Sequence, residues 1–264
     1  MQNLNTILQA LLAGIFTFGM TAIGCLPVFF KKEPNQRFIK SMLGFAAGVM
    51  IAASFWSLLA PAIAMSAGKI LPKWFPVSIG FMAGSLFILL LDKILPHLHL
   101  GFSVDEKEGV KTRLQRNILF VLAVTLHNIP EGLAIGVAFG SIHSGFSSFA
   151  AAAGLAIGIG IQNISEGFAV AMPLRCEGLT CQKSFNWGLL SGIVEPIAAV
   201  FGAFAVTAFR GLLPYALSFA AGAMFYVVIE EVIPESQKGG DSDLATISAL
   251  AGFVLMMILE VIFA

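Results

Sequence analysis

The segment HNIPEG, residues 127–132, is the part of this sequence that best indicates its fold and function. It places an imidazole, a carboxamide and a carboxylate inside one apolar stretch. On a helix, His127 and Glu131 are four residues apart and share a face, with Asn128 one position further round. Polar groups of this kind are costly in a bilayer and usually mark the path of an ion or substrate. The segment therefore predicts a functional site within a membrane-spanning helix.

A second copy of the pattern, QNISEG at residues 162–167, begins 35 residues after the first. It supplies two amides and a carboxylate at corresponding positions: Gln162, Asn163 and Glu166. Glycines recur at intervals of four before Gln162, and such rows of small residues allow helices to approach closely. Because only the short connection SIHSG joins the two segments, they are expected to be antiparallel neighbours whose motifs face each other.

A third apolar segment, GIVEPIAAVFG at residues 192–202, contains a single carboxylate, Glu195, among small residues. Its Gly192, Glu195 and Ala199 fall at three- and four-residue spacing and share one helical face. A proline, Pro196, follows Glu195 directly, and the first motif also contains a proline, Pro130. A proline removes a helix hydrogen bond, and such breaks are tolerated in membranes where the freed backbone lines a cavity. We therefore expect the fourth and fifth helices to be kinked around a mid-membrane site.

The overall composition places the chain in a membrane. Of 264 residues, 58% are hydrophobic and only 11% are charged, and the mean hydropathy is +0.90. A soluble domain carries roughly a quarter charged residues. The 27 glycines agree, because glycine is more frequent in transmembrane helices than in soluble ones. With zero net charge and no basic block, we expect the lipid bilayer as a partner and no nucleic acid.

Charges and turn signals separate eight apolar segments, which predicts an all-α membrane protein with eight transmembrane helices. The segments cover residues 4–30, 38–65, 74–95, 117–140, 145–172, 186–209, 212–234 and 243–263. The connections after the first, third, fifth and seventh segments hold twelve Lys and Arg residues, against three in the others. By the positive-inside rule the twelve face the cytoplasm, so both termini are predicted to be extracytoplasmic.

Residues 1–264 are expected to form one transmembrane domain, with a charged cytoplasmic loop at about residues 96–116. The three cysteines form no paired framework. Cys176 and Cys181 flank a short cytoplasmic loop, where thiols stay reduced. The two alternatives for these cysteines are transient metal binding and an ordinary position as loop thiols.

The three buried carboxylates predict a bound cation. Each ionised carboxylate near a helix centre costs about 2.5–3.5 kcal/mol on insertion scales, so Glu131, Glu166 and Glu195 together cost on the order of 8–10 kcal/mol if unpaired. No Lys or Arg lies within the apolar parts of these helices. Protonation or a bound cation would relieve the cost. Imidazole with carboxylate favours zinc, iron or manganese over calcium or magnesium, and the spacing is not that of the HExxH metalloproteases.

With these residues in view, the chain resembles the ZIP (Zrt/Irt-like) family of metal transporters, in particular its GufA-like bacterial branch. The similarity lies in HNIPEG on the fourth of eight helices, x-N-x-x-E-G on the fifth and a Glu-Pro pair on the sixth. The resemblance implies a primary metal site made by His127, Glu131, Gln162 and Glu166. It implies an adjacent second site completed by Asn128, Asn163 and Glu195, with glutamates bridging the two.

Two positions depart from the family's pattern. Many members have His where this chain has Gln162, and some have Asp where it has Asn163. Losing an imidazole weakens the preference for zinc over other ions. Losing a carboxylate makes the second position less negative, so the firmer prediction is one metal at the primary site.

Other residues are candidates for the ends of a transport path. Met50 lies between small residues of the second helix and, by resemblance, approaches the metal from the outer side; ordinary packing is the alternative. A cytoplasmic exit is predicted from residues that share the inner level: Asp92, His97, His99, Glu230 and Glu231. For the two histidines, a simple interfacial position in water is the alternative.

The leading interpretation is a carrier of divalent transition metals and not an enzyme. We expect zinc uptake into the cytoplasm across the plasma or inner membrane, with iron, manganese and cadmium tolerated, and no organic cofactor. The resemblance also implies a homodimer and a transport unit of helices one, four, five and six that moves against the other four. The alternatives are a proton-coupled solute carrier and, less favoured by the sequence, an intramembrane metalloenzyme.

Overall fold

Eight long helices build the protein in the computed structural model. It describes residues 5–30, 35–67, 71–94, 116–142, 147–176, 178–238 and 242–263, and over these residues it contains helices and no strands. The helices are α1 Thr6–Cys25, α2 Gln36–Met65, α3 Trp74–Ile94, α4 Arg116–Gly140, α5 Phe149–Cys176, α6 Cys181–Ala208, α7 Leu213–Gln237 and α8 Ser242–Phe263. The predicted all-α fold is confirmed, while almost all of the predicted loop at 96–116 lies outside the described residues.

Length and composition make these helices membrane spans. All but α4 form a set of seven that are long and apolar enough to cross a bilayer. The α4 helix has 25 residues, and at about 1.5 Å per residue it also exceeds the hydrocarbon thickness of about 30 Å. The chain is therefore a multi-pass membrane protein.

Side-chain caps explain where α5 and α6 begin. The Ser148 hydroxyl accepts the Ala151 N–H at 2.9 Å, so α5 starts at 149 and not at the predicted 145. The Thr180 hydroxyl accepts the Lys183 N–H at 3.3 Å, so α6 starts at 181 and not at 186. A polar first turn in α6 concealed this start, because the prediction followed hydropathy. Gly178, with φ of 96°, makes the turn between the two helices.

Three of the spans depart from regular α-helix. Segments of π-helix interrupt α2 at Ser54–Leu59 and α7 at Val228–Val232. The α6 helix consists of Cys181–Ser191 and Val194–Ala208 with a turn between them. The α4 and α5 helices are continuous through Pro130 and Pro173, and their predicted kinks stay predictions.

Glycines bring pairs of helices into backbone contact. The most extensive helix pairs are α2 with α8, α4 with α6, α3 with α7 and α1 with α5. A methyl group added at Gly48 of α2 would lie 2.7 Å from the Ala249 carbonyl carbon of α8. One added at Gly132 of α4 would lie 2.5 Å from the Glu195 carbonyl oxygen of α6. Small residues permit this approach, and dispersion and backbone contacts then stabilise the bundle.

The Gly48→Ala variant should lower the thermal midpoint of the detergent-solubilised protein. Overpacking of this kind typically costs about 1–3 kcal/mol, and each kcal/mol shifts the midpoint by about 2–4 °C in a chain of this size. Gly19→Ala is the matched control, because no atom lies within 4 Å of the added methyl. It should leave the midpoint equal or slightly raised, since alanine is favoured in helices by about 0.5–1 kcal/mol. Equal midpoints for the two variants would contradict the α2–α8 contact.

Candidate metal site

The polar residues of α4, α5 and α6 come together in the interior of the bundle. The exposed fractions of Glu131, Glu166 and Glu195 are 0%, 8% and 0%. The three carboxylates are close enough to interact electrostatically. The remaining predicted site residues are also buried: His127, Asn128, Gln162 and Asn163. The structure thus brings the two sequence motifs and Glu195 into one place.

Gln162 joins the carboxylates of α4 and α5. Its Nε2 donates to Oε1 of Glu166 at 3.0 Å and also to Oε1 of Glu131. One amide group therefore uses both of its protons on the two glutamates. This arrangement brings one oxygen of each glutamate beside the same neutral donor.

Glu195 accepts hydrogen bonds from α5 and α1. Asn163 Nδ2 donates to its Oε2 at 2.7 Å, and the Thr21 hydroxyl lies 3.4 Å from its Oε1. Thr17 is a further hydroxyl donor to the same carboxylate. Because Glu195 lies in the first turn of Val194–Ala208, the break in α6 places it opposite these donors.

Asn128 and His127 connect α4 to two other helices. Asn128 Nδ2 donates to the Ser191 carbonyl at 2.8 Å, at the last residue before the break in α6. His127 Nε2 lies 2.6 Å from Oε2 of Glu231 in the π-helical part of α7. Glu231 was predicted only as an exit residue, yet it is buried and in direct contact with the first motif. Glu230, its neighbour, is exposed.

Several buried oxygens of this cluster have no hydrogen-bond donor among the described residues. They are Glu131 Oε2, Glu166 Oε2, Gln162 Oε1, Asn128 Oδ1 and Asn163 Oδ1. All five are acceptors, and a buried acceptor without a partner costs about 1–3 kcal/mol. No Lys or Arg occurs between residues 117 and 174 to supply donors. The surplus of oxygen acceptors is the chemistry that a cation would satisfy.

The carboxylates and the histidine alone do not make a metal site. Within the described ranges, no group of three or more His, Cys, Asp or Glu side chains is arranged to hold a metal ion. The amide oxygens of Gln162, Asn128 and Asn163 lie in the same cluster and are further candidate ligands. Mixed carboxylate and amide oxygens with at most one imidazole select less sharply among divalent ions than a set rich in histidine.

The residues predicted for the ends of the path occupy different surroundings. Met50 is fully buried in the apolar core. Asp92 is buried near the end of α3. His97 and His99 lie outside the described residues.

A cavity of about 250 Å³ with both apolar and polar lining lies among the ends of α2, α4, α5 and α8. Its wall includes Ser141, Ser148 and Glu260, and the Ser57 hydroxyl donates to Glu260. Sequence reasoning did not single out Glu260, although it is a carboxylate near the end of the last apolar segment. It also singled out no residue of α1, where Gly14, Thr17, Thr21 and Gly24 follow the three-four-three spacing that drew attention to α6.

These features define a polytopic membrane protein with a cluster of oxygen acceptors buried between its helices. The model of the ZIP zinc transporter family matches residues 103–260. Relatives at 39% and 36% identity match nearly the full chain. The chain belongs to the ZIP family, as the resemblance of the sequence motifs predicted.

Three relatives show how far the similarity extends. Zinc transporter ZIP11 of Homo sapiens is 39% identical, and the match covers 99% of both chains. Zinc transporter GufA of Myxococcus xanthus is 36% identical over 95% of this chain and 97% of its own. Zinc transporter ZupT of Clostridium perfringens is 33% identical over 99% and 98%. The whole architecture, and not one motif alone, is therefore shared.

The Glu131→Gln variant should be more stable than the parent protein when both are free of metal. The substitution removes one of three mutually repelling buried carboxylates and adds a donor beside unpaired oxygens. A buried charge without an ionic partner is destabilising, so its replacement by a neutral amide of similar volume should raise the thermal midpoint. Thermal unfolding of both proteins in the presence of a chelator would measure the difference in midpoint. Glu230→Gln, at an exposed position, is the control and should leave the midpoint unchanged.

Proposed function

We propose that this protein carries divalent transition-metal ions, with zinc as the main substrate, into the cytoplasm across the cell membrane. The observation that carries the proposal is the group of five buried oxygens that have no donor among the described residues, contributed by residues of both sequence motifs. Family membership and relatives named as zinc transporters support the choice of ion. A transporter needs no catalytic base or nucleophile, and we assign none.

The primary metal position is proposed at His127, Glu131, Gln162 and Glu166. Gln162 now donates to both glutamates, so binding requires its amide to turn and present Oε1 to the ion. His127 would exchange its contact with Glu231 for a bond to the metal. The adjacent second position that the family resemblance implies, at Asn128, Asn163 and Glu195, has an amide where some members have a carboxylate, so we propose one bound ion, at the primary position.

A path to the cytoplasm through α7 is the second part of the proposal. His127, Glu166 and Glu231 have exposures of 9%, 8% and 8%, whereas Glu131 is fully buried. Glu231 would accept the ion from His127, and Glu230 and Asp92 would lead it onward. On the outer side, the cavity at Glu260 and the buried Met50 are the candidate entrance. The bias of basic loops supports a position of both termini on that outer side.

The transport unit is proposed to consist of α1, α4, α5 and α6. Backbone contacts at glycine join helices within it, as at Gly132 against Glu195 of α6. Where α5 meets α8, added methyls at Gly154 and Gly158 would contact the side chains of Phe263 and Met256. Side-chain contacts rearrange more readily than backbone contacts, which supports movement of this unit against α2, α3, α7 and α8. Those four helices are the proposed dimerisation scaffold.

Zinc uptake into proteoliposomes that contain a zinc-sensitive dye is the direct test. Glu131→Ala and His127→Ala should each reduce the initial rate to the level of empty vesicles, because each removes a proposed ligand. Asp243→Asn, an exposed carboxylate at the start of α8, is the control and should keep the full rate. Transport at the parent rate by both alanine variants would refute the proposed function.

The Gln162→His variant should shift selectivity toward zinc. An imidazole nitrogen in place of the amide oxygen favours zinc over manganese. Competition assays should show manganese inhibiting zinc uptake less in the variant than in the parent protein. Gln162→Glu, which adds another carboxylate oxygen, should move the ratio in the opposite direction. An identical inhibition profile for all three proteins would exclude Gln162 from the metal's coordination.

A further inference from the structure

The first helix contains two buried hydroxyls that face the metal cluster. Thr17 is fully buried, and the exposed fraction of Thr21 is 2%. The Thr21 hydroxyl lies 3.3 Å from the Thr17 carbonyl and 3.4 Å from Oε1 of Glu195. The Thr17 hydroxyl reaches the Gly14 carbonyl at 3.1 Å and is also a donor to Glu195. Each hydroxyl has one proton, so each can turn from its helix carbonyl to the carboxylate.

Glu195 differs from the other two carboxylates in how its oxygens are used. Both of its oxygens face a donor, Oε2 from Asn163 at 2.7 Å and Oε1 from α1. Glu131 and Glu166 each keep one oxygen without a donor. The unpaired oxygens of the cluster belong to α4 and α5 alone, and none belongs to Glu195.

Backbone contacts keep α1 against Glu195. A methyl added at Gly14 would lie 2.7 Å from the Pro196 Cα, directly after Glu195. One added at Gly192 would lie 3.2 Å from both the Thr21 hydroxyl and Oε1 of Glu195. The hydroxyls, the carboxylate and the break in α6 are thus packed without space between them. Asn163 strengthens the connection, because its Nδ2 also donates to the Thr17 carbonyl at 3.3 Å.

We propose that Thr17 and Thr21 are positioning residues that, with Asn163, keep Glu195 out of the metal's coordination, so that each chain binds one ion. The inference rests on the proposed function and specifies its site. The ion is bound by the free oxygens of α4 and α5, while Glu195 stays hydrogen-bonded beside it. A second ion at Oε1 of Glu195 would have to displace the α1 hydroxyls that donate to this carboxylate.

Zinc stoichiometry of the purified full-length protein tests this, measured by equilibrium dialysis and elemental analysis. The parent protein should bind one zinc per chain. The double variant Thr17→Val, Thr21→Val retains side-chain volume but removes both donors, and it should bind two. Adding Glu195→Gln to the double variant should restore one. The serine pair Thr17→Ser, Thr21→Ser retains the hydroxyls and should bind one.

Thr6→Val is the matched control, since Thr6 is equally buried on α1 but lies at the far end of the helix from Thr21. It should bind one zinc. If the Thr17→Val, Thr21→Val protein does not fold, the single variants Glu195→Gln and Glu131→Gln still test the proposal. Glu195→Gln should weaken zinc binding by about 10- to 100-fold, as is typical of an outer-sphere group, and Glu131→Gln should weaken it more, because it removes a direct ligand.

Two zinc ions in the parent protein, one in the valine pair, or equal losses for Glu195→Gln and Glu131→Gln would each overturn the inference. These results would leave the proposed function standing, because zinc would still bind through Glu131. Failure of the proposed function looks different: the parent protein would bind no zinc, or Glu131→Gln would bind it with unchanged affinity.

Discussion

Three carboxylates buried among apolar helices without a basic partner are the constraint on which this structure depends. Glu131, Glu166 and Glu195 interact with one another inside the bundle, and Lys and Arg are absent from the surrounding segments. Neutral donors, which are amides on α5 and hydroxyls on α1, offset part of the free-energy cost of burying these carboxylates. The remaining cost belongs to a set of oxygens that no donor reaches in the part of the chain that the structure describes. The residual cost is what makes a cation favourable at this place.

Close helix packing is what allows the cluster to form. The side chains of Asn128, Gln162 and Asn163 are short and reach only neighbouring helices. Glycines at the contacts, such as Gly132 against the backbone at Glu195, bring the helices near enough for these bonds. The same residue type therefore serves two purposes, since it packs the apolar bundle and places the polar groups within hydrogen-bonding distance.

The sequence predicted the all-α membrane fold and the family, and it singled out seven polar residues that the structure brings together, because intramembrane polar residues stand out against an apolar background. It did not predict that Glu231 meets His127. The π-helical segment of α7 changes the rotation per residue, so a regular helical period does not reveal the direction in which Glu231 faces. Thr17 and Thr21 were overlooked for another reason: threonine is common in helices and contributes little to hydropathy. Their role becomes visible only when Glu195 of a distant helix lies beside them.

The single amide of Gln162, shared between Glu131 and Glu166, has a consequence for turnover. With the ion absent, the two glutamates are already joined by a neutral donor. An ion that arrived at the proposed position would have to displace this internal competitor, which would lower its net affinity. A carrier would benefit from such competition, because an ion that binds only moderately is also one that leaves. Glutamine at this position would thus exchange tightness of binding for ease of release.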